Sequence, residues 1–152
     1  RSGRATMQVH TADPDPEGQT LMTTTDMVID LENDQPGELA RVARALSDAG
    51  INIAAATALG HGQSAELHML VHHPEAVRHV LAVVHSVSIT REREVVVVQA
   101  EDRPGELADL TGKIAAAGVN LDLVYVATGS RVVFGSDDLD ALRAALSGAS
   151  IT

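Results

Sequence analysis

Apolar residues recur along this chain at two spacings. Leu39, Val42, Ala43 and Leu46 fall at helical spacing, as do Val77, Val80, Leu81 and Val84, then Leu107, Leu110 and Ile114, and finally Leu139, Leu142 and Leu146. Each set makes one apolar stripe on an amphipathic helix, so helices are expected at about 37–49, 74–85, 105–117 and 137–147. Between them the period changes to two. Met27, Ile29 and Leu31 alternate with Val28, Asp30 and Glu32, which predicts a strand with one buried face and one mostly wet face. Leu67, Met69 and Val71 alternate in the same way within 65–72. Further strands are expected at 51–59, 119–127 and 131–134, with Gly60-His61-Gly62 and Gly129-Ser130 as turns. The run 87–100 has no turn signal and reads as two strands joined end to end, with Arg91-Glu92-Arg93-Glu94 crossing between two sheets. Ser136 is the expected N-cap of the last helix.

The pattern is used twice. Residues 34–53 and 102–121, offset by 68, are identical at nine of twenty positions without a gap. A repeat of this length means two copies of one structural unit. Pro36 and Pro104 fix φ for a tight turn into the helix. Gly37 and Gly105 follow them and leave the backbone open to close approach. Gly50 and Gly118 stop each helix, and Ile51-Asn52-Ile53 or Val119-Asn120-Leu121 follows. Leu139, Leu142 and Leu146 lie 62 residues after Val77, Val80 and Val84, so the second copy is six residues shorter around its hairpin. Each copy reads β-α-β-β-α-β, the ferredoxin-like order. Residues 26–92 form the first unit and 93–152 the second, after an N-terminal tail, 1–25, expected to be disordered. Ser150-Ile151-Thr152 aligns with Ser88-Ile89-Thr90, so the last strand is short or is completed by a neighbour. Ala54, Ala55, Ala56 and Ala58 are poor strand formers and suit a place where another backbone comes close. The second strand of one unit is therefore expected to pair with that of another, within the chain or across a dimer.

Asp-x-Pro-Gly-x-Leu, a helix, then Ala-Gly-Ile-Asn-Ile resembles the ACT domain, a βαββαβ regulatory module that binds amino acids. Both copies carry the motif, and the repeat covers nearly all of residues 26–152. The resemblance implies an α+β protein of two tandem ferredoxin-like ACT modules, each an antiparallel sheet covered by helices on one face. It also implies ligands held where the loop before the first helix meets the second strand, across a pair of modules. The matching positions are Asp34, Gln35, Pro36, Gly37, Asn52 and Ile53 in the first copy. In the second they are Asp102, Arg103, Pro104, Gly105, Asn120 and Leu121. The residue types suit an α-amino acid. A helix N-terminus favours a carboxylate, an aspartate favours an ammonium, and an asparagine offers both donor and acceptor. The copies differ at Gln35 and Arg103, and Asn33 and Glu101 stand just before the motif.

Composition narrows the function further. The net charge is −10, with 11 Lys+Arg against 21 Asp+Glu, which leaves no basic patch for nucleic acid. There is no cysteine, so disulfides and thiolate metal sites are excluded. Tyr125 and Phe134 are the two aromatic residues, so Val, Leu, Ile and Ala must build the core. No apolar run reaches membrane-spanning length, and residues 1–25 lack the hydrophobic centre of a secretory signal, which points to the cytoplasm.

The sequence holds no Gly-x-Ser-x-Gly and no Walker loop, and no catalytic residue or cofactor is expected. Gly60-x-Gly62-x-x-Ala65 imitates a dinucleotide fingerprint but runs into a strand instead of a helix. His61, His68, His72, His73, His79 and His85 fall within twenty-five residues and offer an alternative, a histidine-based metal site or a pH-responsive interface. The leading expectation is a regulatory protein that binds an amino acid or similar small molecule through paired modules. It would act on a protein partner and as a homodimer. The runner-up is a regulator that works by protein contact without a ligand.

Overall fold

The computed structural model describes residues 21–33 and 35–147. In chain order the elements are β1 (Leu21–Leu31), α1 (Glu38–Asp48), β2 (Ala55–His61), β3 (Ser64–Val71) and α2 (Pro74–Leu81). They continue as β4 (Val87–Gln99), α3 (Glu106–Ala116), β5 (Leu123–Ala127), β6 (Arg131–Gly135) and α4 (Leu139–Ser147). Two tandem ferredoxin-like units result. All four helices form on the expected apolar stripes. Val42 and Leu46, Val77 and Leu81, Leu110 and Ile114, and Leu142 and Leu146 are their buried residues. Each such side chain contributes about 1.5–3 kcal/mol by leaving water.

The strands are not two sheets joined by a crossover, as the sequence suggested. They form one antiparallel sheet in the order β2-β3-β1-β4-β6-β5. β1 and β4 are its central pair, matched from Leu21 opposite Val98 to Leu31 opposite Val87. The Arg91–Glu94 segment stays inside β4 and remains paired, with Arg91 opposite Val28 and Glu94 opposite Thr25. The register shifts between Val28 and Ile29, which leaves Thr90 as the extra residue. That bulge swaps the parity of β4. Val87 and Ile89 face the first pair of helices, whereas Val96 and Val98 face the second.

β1 starts earlier than expected. Leu21–Thr25 belong to the strand and are not part of a disordered tail; residues 1–20 lie outside the described residues. The run Thr23-Thr24-Thr25 is β-branched, and a ready partner exists in Val95–Val98. This pairing also bears on the last strand expected of the second unit. The place beside Val95–Val98 that a fourth strand of the second unit would take is filled by Leu21–Thr24 from the start of the chain. Residues 148–152, where that strand was expected, lie outside the described residues.

The sheet has helices on one face only, with cores on that side for each unit. One gathers Met27, Ile29, Leu67, Met69, Val42 and Leu46; the other gathers Val96, Val98, Phe134, Leu110 and Leu142. The other face is not wet. Ala54, Ala55, Leu70, Val95, Val97, Tyr125, Ala127 and Val133 make a third buried cluster there. A flat sheet would hold β2 and β5 five strand spacings apart, about 24 Å. Yet the Thr128 N–H donates to Ala54 O at 3.3 Å, and the Thr128 hydroxyl donates to the same oxygen at 3.0 Å. The sheet therefore rolls until its two edges touch, with the third cluster inside the roll. Ala54 and Ala55 sit at that seam, which is the close backbone approach that small residues allow. β2 and β5 form no ladder beyond it.

The start of the last helix and the starts of two strands also differ from expectation. α4 is capped by Asp138, whose Oδ1 accepts from the Ala141 N–H at 3.0 Å. Ser136 is instead a hinge of the loop, donating to Asn120 O at 2.7 Å and accepting from the Asp138 N–H at 3.2 Å. Segments 51–54 and 119–122 precede β2 and β5 as irregular links, so the strands begin later than Ile51 and Val119.

Candidate ligand site at the two Pro-Gly loops

Both loops fold alike. Gly37 is the N-cap of α1 at φ 98° and ψ −9°, and Gly105 is the N-cap of α3 at φ 90° and ψ −11°. A residue with a Cβ would pay about 1–2 kcal/mol for that left-handed conformation. Space is not the reason for glycine, because a Cβ on Gly37 would meet nothing within 4 Å and one on Gly105 only Arg103 Nη1 at 3.8 Å. Pro36 and Pro104 precede the cap, so they shape the turn and not the first helical residue. No side chain caps either helix. The first-turn N–H groups of Leu39, Ala40, Leu107 and Ala108 point out of the helix start as in any uncapped first turn.

The side chains around the two loops differ. In the second, Arg103 pairs with Glu101 at 2.9 Å, Glu106 at 2.7 Å and Asp109 at 2.9 Å. Hydrogen bonds to Asp109 and Glu101 raise the guanidinium's pKa above its ordinary value. Glu106 is buried and also accepts from the Glu101 N–H at 3.3 Å, tying the loop back onto the helix. In the first loop the counterparts of Glu101, Glu106 and Asp109 are Asn33, Glu38 and Arg41. Arg41 pairs with Glu38 and donates to His85 O at 2.7 Å. Gln35 is exposed, with its N–H on Asn33 O and its carbonyl accepting from Glu38 N. Asp34 lies outside the described residues.

The asparagines sit elsewhere. Asn52 follows α1, whose eleven residues put about 16 Å of helix between it and Gly37. Asn120 is separated from Gly105 by α3 in the same way. Loop and asparagine of one module thus lie at opposite ends of its first helix. Across modules the relation is different. Ala100, at the end of β4, donates to Ser130 O at 2.9 Å, and the same hairpin reaches Ala54 through Thr128. Those contacts place the Asp102–Gly105 loop and Asn52 at one end of the molecule. Asn52 and Asn120 are exposed, whereas Ile53 and Leu121 pack against the two helix-side cores and serve the fold. Asn120 also lines a cavity of about 240 Å³ with Ser136, Asp137 and Asp138.

Sequence reasoning missed a polar group inside the roll. Asp26 is fully buried and accepts from the Tyr125 hydroxyl at 2.7 Å and from His68 Nδ1 at 2.9 Å. His68 Nε2 meets Glu66 Oε1 at 2.8 Å. Asp26 and Tyr125 are 99 residues apart, and no local spacing signals their meeting. The histidines as a set do not converge. Among the described residues there is no group of three or more His, Asp or Glu arranged to hold a metal ion. No helix among them is long and apolar enough to cross a membrane.

A rolled six-stranded sheet carrying a β-α-β-β-α-β unit and a β-α-β-β-α unit that shares the long strand β4, each with a glycine at the start of its first helix, defines a tandem ferredoxin-like α+β protein. The sequence profile of the ACT domain matches residues 25–88 and 95–146, and the chain belongs to the ACT domain family. Among solved structures it is similar to protein BT0572 from Bacteroides thetaiotaomicron, with 27% identity and a TM-score of 0.71 over 84% of this chain and 89% of that one. It is also similar to the ligand-free regulatory subunit of aspartate kinase from Thermus thermophilus, with 18% identity and a TM-score of 0.66 over 89% of this chain and 98% of that one. The regulatory subunit of aspartate kinase from Thermus flavus gives 20% identity and a TM-score of 0.56 over 87% and 96%. No curated protein matches the chain.

Proposed function

We propose that this protein is a regulatory sensor that binds an α-amino acid across facing ACT modules and relays that binding to a protein partner. The observation that carries the reading is the pair of uncapped helix starts at Gly37 and Gly105, held in one backbone conformation by two copies of one motif. Such a start offers N–H donors and a positive dipole end to a carboxylate. The partner side chain comes from the other module. In this reading Asn52 serves the Asp102–Gly105 loop, and Asn120 serves the loop before α1. The first loop is the stronger receptor, because Arg103 already engages three carboxylates at the second.

Regulation follows from where such a ligand sits. An effector bridging two modules stabilises one arrangement of them over others, and only that differential affinity can shift an equilibrium. A homodimer fits this role. Leu39 on α1 and Leu107 on α3 are 48% and 47% exposed, and Val124 and Val126 on the edge strand β5 are 41% and 65% exposed. β5 is a sheet edge with no ladder partner on its outer side among the described residues, which suits a second copy. We further infer a cytoplasmic setting and no catalytic activity of the chain's own. A thermal-shift screen of the twenty amino acids tests the reading. Stabilisation by one or a few of them supports the sensor. No shift with any of them leaves the ligand-independent contact regulator in its place.

A further inference from the structure

The polar group inside the roll belongs to neither Pro-Gly loop, and it joins the two modules. Asp26 and His68 come from β1 and β3 of the first unit, and Tyr125 comes from β5 of the second. Tyr125 is three strand spacings from β1 along the sheet, about 14 Å, and reaches Asp26 only because the sheet is rolled. The Thr128–Ala54 hydrogen bonds lie three residues further along the same edge. The polar group and the edge contact therefore form one seam.

We propose that His68 is a proton-operated latch on this seam: protonated, it bridges Glu66 and Asp26 and holds Asp26 in place for Tyr125; deprotonated, it gives up one of those bonds and loosens β5 from β2. The geometry imposes this. Both neighbours of the ring are carboxylate oxygens, which only accept, and only the imidazolium has a proton on each nitrogen. A neutral ring leaves one carboxylate facing a lone pair. The access is also graded. The Glu66 side chain is 46% exposed, that of His68 14%, and that of Asp26 fully buried. A proton reaches the buried aspartate's partner without opening the core. A buried carboxylate that loses its cationic partner is strongly destabilised.

The charged groups sharing the inner face do not replace this switch. Arg93 is the register partner of Asp26 but pairs with Asp122, and Arg131 is bonded to Thr128. Arg91 on β4, opposite Val28, and Asp30 on β1 share the face but form no hydrogen bond to the ring among the described residues. His61 at the end of β2 and His72 beyond β3 are exposed. Burial works against charge on His68, but hydrogen bonds and charge from Asp26 and Glu66 outweigh it and raise its pKa above 6.5. Burial and the bond to Asp26 push the Tyr125 hydroxyl far above its usual range, so it remains a donor throughout. The sign follows from the raised histidine. The stabilisation is complete below the unfolded value near 6.5 and is lost as pH rises through the folded value.

Two measurements test this on the whole chain. An NMR titration of His68 should give a midpoint above 6.5. Hydrogen exchange at the Thr128 amide, corrected for intrinsic rate, should lose protection as pH rises from the unfolded value near 6.5 through that raised midpoint, by up to about tenfold per unit of the rise. His68→Gln should abolish that pH dependence. Glu66→Gln, at an exposed position that should tolerate it, should lower the His68 midpoint and shrink the loss, which keeps the test decisive if His68→Gln does not fold. A midpoint at or below 6.5, protection at Thr128 that is constant over the range, or an equal loss in either variant overturns the latch.

Discussion

The two Pro-Gly loops share a backbone and differ in charge. Gly37 and Gly105 lie within 8° of each other in φ and 2° in ψ, from 98° and −9° against 90° and −11°. Around that common frame the first loop has Asn33, Gln35, Glu38 and Arg41 where the second has Glu101, Arg103, Glu106 and Asp109. The second loop balances one arginine against three carboxylates. The first has moved its arginine onto the helix, where it holds Glu38 and the carbonyl of His85. A duplicated motif thus keeps its geometry through glycine and proline, while its electrostatics diverge. The account assigns ligand binding first to the loop whose own charges engage it least.

The largest effect should come from the asparagines. Asn120→Ala should weaken amino-acid binding by about 1.5–3 kcal/mol, roughly ten- to a hundredfold, since it removes a hydrogen bond to a charged ligand. Asn52→Ala, serving the loop whose arginine is already engaged by three carboxylates, should weaken it less, and calorimetry on both variants reads the difference. Both residues are exposed, so melting temperatures should barely move. A larger effect at Asn52 would invert the ranking of the loops.

A smaller effect tests the shared backbone. Gly37→Val and Gly105→Val should each lose at least about 1–2 kcal/mol in urea denaturation, through the left-handed φ alone. Because neither position is crowded, the two losses should be similar. Unequal losses would mean that the loops are not equivalent frames.

The smallest concerns the charge difference itself. Arg103→Gln makes the second loop resemble the first at that position. Arg103 is 45% exposed, so the stability loss should be no more than exposed ion pairs supply and should shrink with added salt. A loss well above that, insensitive to salt, would show that the network holds the fold and is not a local charge balance.

What the sequence revealed and what it hid divide along the range of the interactions. Helix stripes, the Gly50 and Gly118 stops and the repeat are local, and they placed all four helices within a few residues. The roll was hidden because it depends on pairings far apart in sequence. Thr24 opposite Val95 and Tyr125 on Asp26 have no local signature. Leu21–Thr25 reads as a polar tail because its partner strand, and not its own alternation, makes it a strand. The bulge at Thr90 is one residue in an otherwise regular run, and it decides which valines of β4 face which helices. At the candidate site, the residue types were legible and their grouping was not. The motif lists Gly37 and Asn52 together, but a whole helix separates them within the module.

The central claim is that an α-amino acid binds across modules at these loops. Isothermal titration calorimetry of the whole chain against each of the twenty amino acids tests it most directly. The account predicts saturable heat with at least one of them below millimolar concentration, and a loss of affinity in Asn120→Ala or Asn52→Ala. No heat with any amino acid at millimolar concentration contradicts the sensor, and binding that neither asparagine affects contradicts the site.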